Sequence, residues 1–229
     1  MTDAGPLASE RRSVLSRLQL GIESMYRVDT RLDVDAFLIS DDERDRSGVA
    51  RSPREQLLVR QTGDDEVKIG LFLDQDAVSN LEKNDPTRRL DRTNFADFCL
   101  AVEGVSHFVY VALCAAGERS VSALELELQA EVDKFACCLL VEGDHGDRDG
   151  QARGLRRRLY DDVVFADDLA ADERDRYRVA NVEARRYAAS LSRQFLARDG
   201  LTQMLPELRW FYRLDLEGKL GHIARRAGA

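Results

Sequence analysis

The sequence has few of the features that identify a function at sight. No apolar run reaches the roughly 18 uninterrupted residues that suggest a bilayer span. The longest candidate, 95–116, is broken by Asp97, Glu103 and His107, which lipid would penalise. Met1-Thr2-Asp3-Ala4-Gly5-Pro6 lacks the basic start and apolar centre of a secretory signal, so the expectation is a cytoplasmic protein without a membrane partner. There is no Gly-x-Ser-x-Gly, no Gly-x-x-x-x-Gly-Lys-Ser/Thr and no Gly-x-Gly-x-x-Gly after a strand, which leaves α/β-hydrolase and common nucleotide chemistries without a foothold.

Cysteine is sparse and wrongly spaced for a staple. Cys99, Cys114, Cys137 and Cys138 contain no C-x-x-C pair and fall in apolar helical stretches, where they read as small buried hydrophobes rather than disulfides or a zinc knuckle. Lysine is nearly absent. Only Lys68, Lys83, Lys134 and Lys219 stand among the 34 basic residues, an arginine bias that reflects a GC-rich genome and is given no functional weight. The net charge is −8 and the pI about 5.1, which argues against broad binding to nucleic acid or anionic lipid.

What the chain does have is enough length and apolar content for a packed core. It has 229 residues, 44% hydrophobic and 33% charged, the composition of a compact domain with a heavily solvated surface. Val14, Leu15, Leu18, Ile22 and Met25 recur at helical spacing and predict a helix over 7–25, with Ser9 as its cap. Residues 36–39 read as a short strand, and 41–54 as an exposed, charged loop. Two runs, 56–60 and 67–73, flank the turn-rich 61–66, and Val67, Ile69, Leu71 and Leu73 share one face, as in a half-buried β-hairpin. A short helix over 77–81 and a linker over 84–89 follow.

Beyond residue 94 the pattern is helical. Thr93-Asn94 caps a helix over 95–116, and Gly117 supplies a left-handed stop. Ser122 to Glu125 has capping-box spacing and opens a helix to about Val141. The connection is short enough to make the two an antiparallel hairpin. Residues 143–171 read as a long surface connection with one anchored apolar island at 163–165. Helices over 172–197 and 206–224 close the chain, the former with Tyr177, Ala180, Ala184, Tyr187, Ala188, Leu191 and Phe195 on one stripe.

The fold expectation is therefore α+β and mainly helical: a small antiparallel sheet, made of the 56–73 hairpin plus the 36–39 strand, packed with a helical bundle centred on the 95–141 hairpin. Two portions, 1–93 and 94–229, are distinguishable and could equally form one continuous domain.

One constellation can carry chemistry. Glu103 and His107 lie four apart on the first central helix, and Glu127 and Glu131 four apart on the second, with Lys134 close by. Equal distances from a turn near Ser120 pair His107 with Glu131 and Glu103 with Lys134. Such groups can form a buried network that fixes hairpin register. They can also hold a divalent metal, with Glu103, His107 and Glu131 as ligands and Glu127 as ligand or base. The spacing is Glu-x-x-x-His, not the Glu-x-x-His of bundle metal sites, and no His-Glu-x-x-His is present. Ser106 points about a quarter turn from His107 and makes no nucleophile–base pair with it. His145 lies in a polar loop without calcium-hand spacing, and His222 reads as a partly exposed residue of the last helix.

Arginine clusters are interleaved with acids and read mostly as a solvated face. Arg156-Arg157-Arg158 is one place where an anion or acidic partner could dock. Trp210-Phe211-Tyr212 cannot all face one core, so at least one ring should reach the surface and could anchor another protein or a second copy of the chain. The functional expectation is a bacterial-type, non-catalytic interaction, regulatory or accessory protein that needs no cofactor. The alternative is a metal-dependent hydrolase built on the Glu/His cluster. A weaker reading is nucleic-acid binding through Arg156 to Arg158, with steep salt dependence as its mark.

Overall fold

The computed structural model describes residues 12–46, 53–61, 67–142, 147–163, 169–198 and 200–227. The architecture is mainly helical α+β with a two-stranded antiparallel sheet. At its centre lie α4 (Phe95–Ala116) and α5 (Ala123–Glu142), antiparallel and apolar round most of their circumference. By length and composition α4 would pass for a membrane span, but 72% of its most apolar window is buried inside the fold, as befits a core helix.

The turn between them differs from expectation in detail. Gly117 has φ −95°, and the left-handed residue is Glu118 at 51°. Gly117 still donates back to Leu113 and Cys114, so the chain reverses one residue later, where the Glu118 and Arg119 amides close on Ala115 and Cys114. The capping box is half made. Ser122 Oγ accepts from the Glu125 amide at 3.2 Å, but the Glu125 carboxylate turns inward to Tyr110 Oη at 2.6 Å and Arg119 Nη1 at 2.7 Å.

Helix α1 (Val14–Tyr26) is capped by Ser13, whose Oγ accepts from the Ser16 amide at 2.9 Å. The expected start near Leu7 and the Ser9 cap lie outside the described residues. The expected 36–39 strand is instead a 3-10 turn, Val34–Phe37, started by Asp33 accepting from the Asp35 amide. The segment touches the sheet through an isolated bridge of Leu38 beside Leu71, with the Ile39 amide donating to the Leu71 carbonyl at 3.0 Å. A short apolar run has no periodicity to separate strand from turn, and here the Asp33 cap decides. Part of the expected 41–54 loop is helix α2 (Asp41–Arg46), whose Arg44 is buried with its guanidinium 4.1 Å from the Phe72 ring.

Strands β1 (Glu55–Gln61) and β2 (Val67–Leu73) pair as expected, with Leu57 opposite Leu71 and Glu55 opposite Leu73; the 62–66 connection lies outside the described residues. One face of the hairpin rests on α4 at Gly104. A Cβ there would stand 3.1 Å from side-chain atoms of Glu55, Leu71 and Leu73, so glycine permits the close approach. Helix α3 (Gln75–Lys83) is capped by Asp74. Both α1 and α3 also pack on α4, and one hydrophobic core runs from Val14 to Ile223.

The 143–171 segment is not a simple surface connection. It contains α6 (Arg148–Arg156) and a π-helical turn, Arg157–Asp161, which bury Ala152, Leu155, Leu159 and Tyr160. Apolar residues three to five apart between arginines make an amphipathic turn that glycine-counting obscures. Residues 164 and 165 of the expected island, and His145, lie outside the described residues; Val163 is exposed. Helix α7 (Ala171–Gln194) packs Ala180, Ala184 and Ala188 closely against the core. The expected 206–224 helix is two. Helix α8 (Leu201–Tyr212) starts earlier and carries Pro206 inside, and α9 (Leu216–Ala227) begins after Asp215 accepts from the Gly218 amide at 2.8 Å. Cys114, Cys137 and Cys138 are buried and Cys99 half-buried, all free thiols.

Asp133 ties the core together. It is fully buried and accepts from Tyr26 Oη of α1, from Ser106 Oγ of α4 at 2.5 Å and from Gln129 Nε2 at 2.8 Å. Burial raises its carboxyl to about 6 in spite of these donors. Asp133→Ala would take the acceptor from the buried Tyr26 and Ser106 hydroxyls and leave Gln129 Nε2 with Tyr26 Oη alone, and should lower the unfolding free energy by about 3–5 kcal/mol in urea denaturation. A loss below about 1 kcal/mol would mean that the network contributes little to stability.

Candidate functional site

The central cluster forms, with different partners from those the register predicts. Lys134 Nζ donates to Glu103 Oε2 at 3.0 Å, as expected, and also to Glu131 Oε1 at 2.6 Å. His107 does not meet Glu131. Its Nδ1 lies 3.3 Å from Glu55 Oε1 and its Nε2 3.7 Å from Glu127 Oε2. Distance from the turn fixes height along a helical pair but not azimuth. Lys134 stands one turn beyond Glu131 and holds it, while the Gly104 contact brings Glu55 under the imidazole.

His107, Glu55 and Glu127 open onto a cleft of about 480 Å³ between β1, α5 and the start of α7. Leu57, Val59 and Leu126 give it apolar walls, and Arg176 and Tyr177 line the α7 side. Two nitrogen donors here are buried without a hydrogen-bond acceptor, His107 Nε2 and Arg176 Nε. Glu127 lies between them but slightly out of reach, its Oε1 3.9 Å from Arg176 Nε.

The charges are set by burial and by each other. Burial alone would lower the His107 pKa, but the Glu55 hydrogen bond and the charges of Glu55, Glu127 and Glu103 outweigh it and raise it to about 9. The ring is an imidazolium at neutral pH, with a proton on each nitrogen. Burial lifts Glu127 to about 7 against the pull of His107. It also raises Glu55 and Glu131, whereas Lys134 holds Glu103 below the usual carboxylate range despite burial.

Among the described residues, no three His, Cys, Asp or Glu side chains form a group that could hold a metal ion. The metal set expected from sequence is divided, with Glu103 and Glu131 on Lys134 and His107 with Glu127 in the cleft. Among the described residues, the nucleophile candidates nearest the histidine in the hairpin are not poised to act. Ser106 Oγ is committed to Asp133, and burial raises the Cys137 thiol well above its ordinary range.

Sequence reasoning missed Glu55, Arg176 and Asp133. Glu55 shares the alternating face of Leu57 and Val59 and was legible as a carboxylate on a strand's inner face; Arg176 had no sequence signal among so many arginines. The other singled-out residues lie elsewhere. Arg156 and Arg157 border a separate cavity beside α7, and Arg158 leaves it to place its guanidinium 3.5 Å from the Phe95 ring centre. Trp210 is the exposed aromatic of its triplet, at 47%, with its ring edge-on to His222 at 4.5 Å, while Phe211 and Tyr212 are buried. His222 is half-buried on the last helix, as expected, and its Nε2 lies 2.6 Å from Glu207 Oε1. Comparison with protein-family models, with curated proteins and with solved structures finds no match to this chain.

His107 gives a pH signature. Its folded pKa of about 9 stands above the ordinary 6.5, so its contribution to stability is fully present below pH 6.5 and is lost as pH rises through 9. The stability gap between wild type and His107→Gln, read from urea midpoints, should be widest near pH 6 and shrink towards pH 9.5. A gap that is constant over this range would show that the imidazole is neutral in the fold.

Proposed function

We propose that the chain is a non-catalytic regulatory or accessory protein that captures a small amphipathic molecule in the His107 cleft, holding its acceptor head group, a carboxylate, at the cleft floor. The observation that carries this reading is the pair of buried donors, His107 Nε2 and Arg176 Nε, that open onto the cleft without an acceptor. A buried donor left unpaired costs about 1–3 kcal/mol, and a ligand oxygen placed between the two would recover it. Apolar walls at Leu57, Val59 and Leu126 suit an alkyl or aryl body. The commitment of Ser106 Oγ to Asp133 supports binding over covalent catalysis by the neighbouring serine, and the hold of Lys134 on Glu103 and Glu131 leaves the metal-dependent hydrolase with less support. A water-soluble, cytoplasmic protein accords with this role.

Glu127 makes capture dependent on pH. With its carboxyl at about 7, it is neutral in mild acid and can donate to a bound carboxylate; above pH 7 it ionises and repels it. Octanoate titrated calorimetrically into the full chain should bind roughly tenfold more tightly at pH 6 than at pH 8, and His107→Gln or Arg176→Ala should each abolish most of the binding while the protein stays folded by circular dichroism. Preference for octylamine over octanoate, or no binding of octanoate at pH 6, would overturn the assignment.

A further inference from the structure

A second, larger cavity of about 730 Å³ lies between α6, the π-helical turn and α7. Its wall carries six arginines, Arg153, Arg156, Arg157, Arg185, Arg186 and Arg193, against a single lining carboxylate, Asp161. In a chain of net charge −8 this is a local reversal of sign. Helix geometry produces it: Arg153 and Arg156 or Arg157 lie a turn apart on one side, Arg185, Arg186 and Arg193 two turns apart on the other. The small Ala189 and Gly154 leave the space between them open, and a Cβ at Gly154 would meet nothing within 4 Å.

Most of these guanidinium groups are already neutralised. Arg153 pairs with Asp149, Arg185 with Asp161 and Arg186 with Glu183, each at 2.6 Å, and Arg157 reaches Asp162 at 3.6 Å. Arg156 and Arg193 are different. Among the described residues neither has a carboxylate within ion-pair distance, and Arg156 Nε is buried without any acceptor. Burial and the charges of Arg153 and Arg185 hold the Arg156 guanidinium below its usual range despite Asp149.

We infer that this cavity binds a small anion carrying two or more phosphate groups, with Arg156 of α6 and Arg193 of α7 as its main contacts. Guanidinium forks match phosphate oxygens two at a time. Two unneutralised forks on different helices suit an anion with acceptor oxygens at both ends, and the four paired arginines complete the wall around them. The short, concave shape favours a compact ligand over a nucleic-acid strand, which needs an extended basic track. The site shares no lining residue with the His107 cleft and stands independently of the function proposed for it.

The test is calorimetric titration of the full chain with sodium pyrophosphate, orthophosphate and a twenty-nucleotide single-stranded DNA. Pyrophosphate should bind about tenfold or more tightly than orthophosphate. Arg156→Ala and Arg193→Ala should each weaken it about tenfold. Arg193→Lys should fall between, because it keeps the charge and loses the fork. Arg158→Ala should leave binding unchanged, since that side chain sits on Phe95 outside the cavity, and thermal melts would confirm that every variant is folded. No binding of pyrophosphate to folded wild type, equal affinity in Arg156→Ala and Arg193→Ala, or tighter binding of DNA than of pyrophosphate would overturn the inference.

Discussion

Charge taken out of water must find a partner, and in this fold that constraint falls on two helices. Helices α4 and α5 are apolar enough to be the core, yet between them they carry Glu103, His107, Glu125, Glu127, Glu131, Asp133 and Lys134. An isolated buried charge costs several kcal/mol, so the surrounding elements are drawn in to satisfy these groups. Helix α1 sends Tyr26 to Asp133, β1 sends Glu55 to His107, and the π-helical turn sends Tyr160 Oη to the Glu131 carbonyl at 2.9 Å.

The far end of the hairpin follows the same logic. Lys219 of α9 is fully buried and donates to Tyr110 Oη at 2.6 Å and to the Leu214 carbonyl at 3.0 Å. Tyr110 in turn donates to Glu125, which also holds Arg119. Burial lowers the Lys219 pKa to about 8 in spite of Glu125. Asp133, His107 and Tyr110 inside the hairpin therefore each act as a docking point for a peripheral element, which gives those elements fixed positions where apolar packing alone would tolerate sliding. The two orphaned donors in the His107 cleft and the unneutralised arginines beside α7 both lie on cavities, where a ligand can reach them.

Much of the fold was legible because it is written in local chemistry. The bounds of α4 follow from its apolar run and those of the β-hairpin from period-two alternation. The Glu103–Lys134 pair follows from counting outward from the turn. The misreadings arose where local signals compete. Residues 36–39 are as apolar as a strand, yet Asp33 and Asp35 bind Ser13 and Ser16 of α1 and hold the segment as a 3-10 turn. In 148–161 the glycines suggested a loop, while the spacing of Ala152, Leu155 and Leu159 buries one face of a helix.

The sequence by itself determined that α4 and α5 form a buried hairpin and that its ionisable residues must be paired, because apolar periodicity and the cost of desolvation act on neighbours along the chain. It also determined that one ring of Trp210-Phe211-Tyr212 would face water, since three consecutive helical residues span too wide an arc for one core. Only the tertiary structure decided which partners are used. His107 meets Glu55, 52 residues away, because Gly104 lets a strand lie against the helix, and Arg156 and Arg193 line one cavity because α6 folds back on α7. These are contacts of azimuth and long-range closure, and nothing local along the chain encodes them.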